Sequence, residues 1–137
     1  MDSCIFCKIG KGEIPVAKVY EDERTLAFLD IHPIAPGHTL VIPKAHAEEF
    51  IDMNDEDAAA VALTMKKVGA LIKKTFGPPR VGSLTKGFDV AHTHVQLFPM
   101  TNGNDIIAAK YGPHFPPEAP IAELMALAEK MKTGHSA

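Results

Sequence analysis

The longest regular pattern in this chain runs from Asn54 to Gly77, and it splits the remaining segments into two groups. Asn54 is a good N-cap, and Asp55, Glu56 and Asp57 favour the positive end of a helix dipole. Val61, Met65, Val68 and Ile72 recur at helical spacing and mark a buried stripe. Lys73 and Lys74 suit the C-terminal turn, Gly77 the C′ position, and Pro78-Pro79 stop the helix. Before this block, residues 17–21 and 25–30 read as strands joined by a tight polar turn at Asp22-Glu23. A Pro-rich loop follows over residues 31–37, then a third strand over 38–43, ended by Pro43. After the block, residues 80–84 and 91–99 make two more strands. Residues 4–13 form a short polar turn of helix. A final amphipathic helix starts with Pro120 at N1 and carries Ile121, Leu124, Met125 and Ala128. The order strands, helix, strands, helix predicts an α+β fold: a mostly antiparallel sheet of about five strands, one long central helix and a C-terminal helix.

Length and charge bound the function. The chain has 137 residues, enough for one domain with a sizeable core, and no internal repeat or low-complexity linker. Its net charge of −3, with both signs interspersed, argues against non-specific binding to nucleic acid or a membrane surface, which needs a basic patch. A small anionic ligand stays possible, since backbone N–H groups and histidines bind phosphate without one. The N-terminus lacks the features of a signal peptide, and no window approaches the ~20 apolar residues of a membrane span. A cytoplasmic protein is the expectation, and in that reducing setting Cys4 and Cys7 are not expected to form a structural disulfide.

Two constellations carry chemistry. Cys4 and Cys7 stand in a Cys-x-x-Cys pair, and zinc in a structural site takes four ligands, commonly two Cys and two His. His46, just after the third strand, and His92 are candidates for the other two. A redox pair, for which no βαβ pattern is present, and two plain thiols are the alternatives. The second constellation is the run from Ala91 to Pro99, which alternates polar and apolar residues as a half-buried strand does. His92, His94, Gln96 and Phe98 then share one face. A row of buried polar groups costs stability unless it binds something, and imidazole is suited to attack or protonate at neutral pH. His38 completes the group.

His92-Thr93-His94-Val95-Gln96-Leu97-Phe98 resembles the histidine-triad motif, His-x-His-x-His-x-x with apolar x. Cys4-Ile5-Phe6-Cys7-Lys8-Ile9, Val19-Tyr20-Glu21-Asp22, Ala27-Phe28-Leu29-Asp30-Ile31 and Pro36-Gly37-His38-Thr39-Leu40-Val41-Ile42-Pro43-Lys44 look like the blocks of that family, in order. The resemblance covers residues 4–100 of a single domain, 1–137, and leaves 101–137 as an extension. It implies the family's fold and binding of a purine nucleotide or nucleoside phosphoramidate, with hydrolysis or nucleotidyl transfer at the α-phosphate. His94, the middle histidine, would attack phosphorus as a neutral imidazole and form a nucleotidyl-histidine. His38 matches the histidine beside the nucleophile, and Asp30 the acid that grips the ribose hydroxyls. Phe28 and Ile31 look like base-pocket walls, plain core packing being the alternative. Cys4, Cys7, His46 and His92 match the ligands of zinc-bearing members. Family members form dimers through strand and helix, and the same is expected here.

The chain departs from the family pattern in two places. Position 96 is Gln, as in the nucleotidylyltransferase branch, whose members are considerably longer than this compact chain. Gln donates a hydrogen bond to a phosphate oxygen but delivers no proton near pH 7. Two alternatives follow: transfer to a phosphate acceptor, and a non-catalytic nucleotide-binding or regulatory protein. Upstream, Gly87-Phe88-Asp89 stands where many members have Gly-Gln-Ser. Asp89 would repel a phosphate unless it points away, the backbone after Gly87 can still donate, and Lys86 can add charge. His32 and His135 read as unremarkable, and His114 is a candidate to approach the site from the C-terminal segment.

Overall fold

The structure, a computed structural model, describes residues 3–105 and 116–133. His114 and His135 lie outside these. The elements are α1 (Ile5–Gly10), β1 (Lys18–Glu21), β2 (Thr25–Leu29), β3 (Thr39–Pro43), a 3-10 turn (Phe50–Asp52), α2 (Asp55–Phe76), β4 (Arg80–Leu84), β5 (Val95–Met100) and α3 (Ile121–Thr133). The strands form one sheet in the order β1-β2-β3-β5-β4, every neighbouring pair antiparallel. The fold is α+β, as the element order predicts.

Strand alternation sorts the core into two layers. Val19, Ala27, Leu29, Val41, Val95 and Leu97 face α2 and α3. Leu26, Phe28, Leu40 and Ile42 face the other way, against Phe6 and Ile9 of α1. Because α1 is only six residues long, it covers part of that second face and leaves room beside it.

Local chemistry sets the boundaries of α2. Asn54 accepts the Asp57 N–H at 2.7 Å, and Gly77 ends the helix at φ +63°. Val61, Val68 and Ile72 are buried as the spacing predicts, whereas Met65 is only half-buried and Thr64 and Thr75 join the buried face. Thr64 enters the core because its hydroxyl pairs with that of Thr25 at 2.7 Å. Asp57 is buried because Arg24 meets it at 2.8 Å. In α3 the buried stripe is Leu124, Ala128 and Met131, at i, i+4, i+7, while Ile121 and Met125 stay exposed. Pro120 precedes the first helical residue, and its carbonyl takes the Glu123 and Leu124 N–H groups, so it sits one place before N1.

The segment around the histidines differs from the half-buried strand read in the sequence. β5 begins only at Val95, so His92 and His94 lie in the bend before it. The register that pairs Val41 with Val95 would set Pro43 opposite Thr93, but Pro43 has no N–H to donate. Thr93 instead gives both its N–H and its hydroxyl to the Ala47 carbonyl, at 2.7 and 2.9 Å. Residues 92–98 are also buried on both sides, with Phe6 of α1 against His92 and His94 and His38 against Phe98.

The loop between β2 and β3 is seated against the end of α2. Gly37 has φ +96°, and a Cβ there would lie 2.5 Å from the Phe76 ring.

Candidate functional site

A cavity of about 370 Å³ opens where α1 leaves the sheet face uncovered. Phe6, Phe28 and Leu40 form apolar walls, and Asp30, His94 and Gln96 supply the polar groups. Ile31 and Asp89 also border it, so six residues singled out in the sequence (Phe28, Asp30, Ile31, Asp89, His94 and Gln96) meet at one hollow. Gly87 does not; it borders a separate cleft of about 60 Å³, beside Lys86, that has His94 in common with the first. Asp89 is held by Lys86 at 2.9 Å, which offsets the repulsion its charge would offer a phosphate.

Hydrogen bonds fix the state of each imidazole. His94 is buried, and its Nδ1 lies 2.8 Å from the His92 carbonyl. A carbonyl only accepts, so Nδ1 carries the proton and Nε2 keeps a lone pair. The Phe6 ring stands edge-on to His94, with centroids 5.1 Å apart. His38 is fully buried; its Nδ1 accepts the Ile34 N–H at 3.2 Å, so its Nε2 is the donor. That Nε2 gives to the Gln96 carboxamide oxygen at 3.0 Å and lies 3.3 Å from Asp30 Oδ2. Asp30 Oδ1 accepts the His32 N–H at 2.8 Å. The Gln96 amide nitrogen is buried and has no hydrogen-bond partner among the described residues. An unpaired buried N–H is costly, which makes this atom a donor awaiting an acceptor.

His92 belongs to a second centre. Its Nε2 donates to the Pro43 carbonyl at 2.8 Å, and its Nδ1 faces Cys4 Sγ at 3.4 Å and Cys7 Sγ at 3.5 Å. His46 Nδ1 lies 3.3 Å from Cys7 Sγ. The four ligand atoms of Cys4, Cys7, His46 and His92 all fall within 4.8 Å of one another, so the group can hold a metal ion. Tetrahedral zinc with bonds of about 2.0–2.3 Å needs ligand–ligand edges of about 3.3–3.8 Å, and the three sulfur–nitrogen separations of 3.3, 3.4 and 3.5 Å fall in that range. The carbonyl behind His92 is the usual way a ligating imidazole is oriented. Burial, with Cys4 alongside, pushes the Cys7 thiol up. Burial pushes His92 down despite the Pro43 carbonyl, which favours the neutral ring a metal needs.

Several contributors carry no site role in the sequence reading, although most stand inside its motif blocks. Phe6 packs edge-on to both His92 and His94, and Ile5 and Ile9 join it along the cavity. The signal available was the i, i+3 spacing of Phe6 and Ile9 around the cysteine pair. Leu40, readable as plain core, lines the cavity as well. Ile121 of α3 closes its rim, which explains an exposed apolar residue on that helix.

Residues 11–103 match the sequence profile described as HIT domain. The chain is 42% identical over 105 residues to adenosine 5'-monophosphoramidase hnt1 of Schizosaccharomyces pombe, covering 73% of this chain and 76% of that protein. A HIT-like protein involved in cell-cycle regulation from Bartonella henselae superposes with TM-score 0.84 at 29% identity, covering 98% of this chain and 97% of the other. A zinc-bound histidine triad family protein from Mycobacterium smegmatis superposes with TM-score 0.77 at 26% identity, covering 97% and 93%. The chain belongs to the histidine-triad (HIT) family of nucleotide-processing hydrolases and transferases. Among the described residues no helix is long and apolar enough to cross a membrane.

Proposed function

We propose that this protein hydrolyses purine nucleoside phosphoramidates through a nucleotidyl intermediate on His94. The observation that carries the reading is the pairing of a locked Nε2 lone pair on His94 with the unpartnered Gln96 amide at one cavity. The nucleoside enters between Phe6, Phe28, Ile31 and Leu40, and the Asp30 carboxylate accepts from the ribose hydroxyls. His94 Nε2 attacks the α-phosphorus: an N–P bond forms and the bond to the leaving group breaks. Gln96 donates to a non-bridging oxygen, where developing charge needs a fixed donor. Water then attacks phosphorus, the N–P bond breaks, and the nucleoside monophosphate leaves. Gln96 carries no proton to give, so a leaving amine collects its proton from solvent. Backbone N–H groups near Gly87 serve the leaving-group side. The phosphoramidase relative supports this substrate class.

Gln96 itself favours a second reading, nucleotidyl transfer to a phosphate acceptor, because a phosphate leaving group needs little proton help. Zinc is the metal we assign to Cys4, Cys7, His46 and His92, as a structural tie between α1 and the sheet; the zinc-bound neighbour supports it. Thiols kept reduced for this purpose suit a cytoplasmic setting. We take residues 1–137 as one domain and expect a homodimer through β4, which ends the sheet, and α2, where Leu63 is exposed.

The test is incubation with nucleoside phosphoramidates and dinucleoside polyphosphates, reading released nucleotide, intact mass and metal content on one sample. Nucleoside monophosphate release that disappears in His94→Ala supports hydrolysis. An adduct that accumulates until phosphate is added selects transfer. Nucleotide binding with neither adduct nor turnover overturns both.

A further inference from the structure

We infer that His38 is a positioning residue whose task is to fix which end of the Gln96 carboxamide faces the phosphate. The inference deepens the proposed function and rests on Gln96 donating to that phosphate. A glutamine side chain has two nearly equal ends, an oxygen that only accepts and an NH₂ that only donates. Facing an anion, one end stabilises and the other repels. Nothing in the covalent structure of glutamine selects between them, so a neighbour must.

The neighbour is His38, and its own state is set by the backbone. The Ile34 N–H donates to His38 Nδ1 at 3.2 Å, which leaves the ring proton on Nε2. Nε2–H points at Gln96 at 3.0 Å, and of the two ends of that carboxamide only the oxygen can accept it. The NH₂ end therefore turns away from His38, and this buried nitrogen is the one without a partner. The ring cannot swing out of this role, because it is fully buried and tilts against Phe98 with centroids 4.4 Å apart. His38 does not border the cavity, so it acts through Gln96 and not on the substrate. The same Nε2 lies 3.3 Å from Asp30 Oδ2, which ties the carboxamide to the proposed ribose-binding acid.

A consequence concerns which residues fit position 96. A histidine there would also present its near nitrogen as an acceptor to His38, leaving its N–H outward. A glutamate would accept from His38 equally well but would turn a second oxygen toward the phosphate. The device thus admits Gln or His and rejects Glu, although Gln and Glu have the same shape.

The test is a double-mutant cycle with two His38 variants. In His38→Asn the side-chain oxygen stands near the place of Nδ1 and can still take the Ile34 N–H, but the Nε2 donor is gone. In His38→Gln the amide nitrogen stands near Nε2 and restores the donor. We expect His38→Asn to lower kcat about 10- to 100-fold, the scale of one mis-set transition-state donor, with a much smaller change in KM. His38→Gln recovers most of that loss. In a Gln96→Ala background, His38→Asn changes kcat less than about twofold, because the carboxamide it positions is absent. A full additional loss in that background overturns the inference, and so does His38→Gln failing alongside His38→Asn while both fold by thermal melt. A readout free of turnover separates this from failure of the proposed reaction: ¹⁵N shifts of the His38 ring at pH 7 report the Nε2–H tautomer, and an Nδ1–H ring overturns the inference whatever the protein catalyses.

Discussion

His92 and His94 stand two residues apart, are both buried, and are both anchored to a main-chain carbonyl, yet they are readied for opposite tasks. His92 spends its Nε2 proton on the Pro43 carbonyl and turns Nδ1 toward two thiols. His94 spends its Nδ1 proton on the His92 carbonyl and keeps Nε2 for the cavity. The residue type is the same, and the backbone chooses which ring nitrogen keeps its lone pair: Nδ1 beside two thiols in His92, Nε2, the proposed nucleophile, in His94. One bend in the chain before β5, forced by a proline opposite, makes both choices at once.

The largest expected effect breaks the comparison on the His94 side. His94→Ala should lower kcat by about a thousandfold or more and abolish the nucleotide adduct, while thermal stability changes little. Steady-state rates and intact mass on one preparation check this, and an adduct that survives the substitution refutes the assignment. On the other side, chelation or Cys7→Ser should cost about 3 kcal/mol, a fall in Tm of about 10 °C for a domain this size. It should raise KM more than it lowers kcat, because α1 carries Phe6 and two further cavity walls. A melt and a saturation curve on metal-depleted protein are the measurement. Gln96→His then sharpens the contrast by adding a group that can deliver a proton. Hydrolysis of a phosphoramidate should rise about tenfold, and an equal or lower rate would count against missing proton delivery.

The smallest effect is one of pH on the metal-free protein. Burial holds the folded His92 below its ordinary value of 6.5, so below that pH the unfolded chain takes up a proton that the folded chain refuses. Stability should therefore fall as pH drops through about 6.5 and level off once the folded ring titrates as well. His92→Gln should flatten this slope in denaturant titrations at pH 5 and 7.5.

Much of this molecule is legible in its sequence wherever the deciding chemistry is local. The ends of α2 follow from Asn54 and Gly77 because a cap is settled within four residues. Most strands follow from short apolar runs bounded by turn residues, and the quartet that can hold a metal comes together as the family pattern implies. What escapes is decided by a neighbour distant in the chain. The start of β5 depends on Pro43, some fifty residues earlier, which has no N–H to extend the pairing. Burial of the second face of β5 depends on distant partners such as His38, which packs on Phe98. The separation of Gly87 from the main cavity, the neutralisation of Asp89 by Lys86, and the tautomers of three histidines likewise appear only once partners are placed. Tyr20, readable as core, is half-buried, with its hydroxyl given to Asp22 at 2.8 Å.

The contact between Gly37 and Phe76 reaches further than its size suggests. Gly37 has no side chain, yet it precedes His38, and the bare backbone there lets the β2–β3 loop settle on the last turn of α2. That helix end acts as a ruler for the loop: moving Phe76, or giving residue 37 a methyl group, would shift the ring that orients Gln96 and the acid beside it. The reach of the proposed site therefore extends to a helix terminus outside its main cavity.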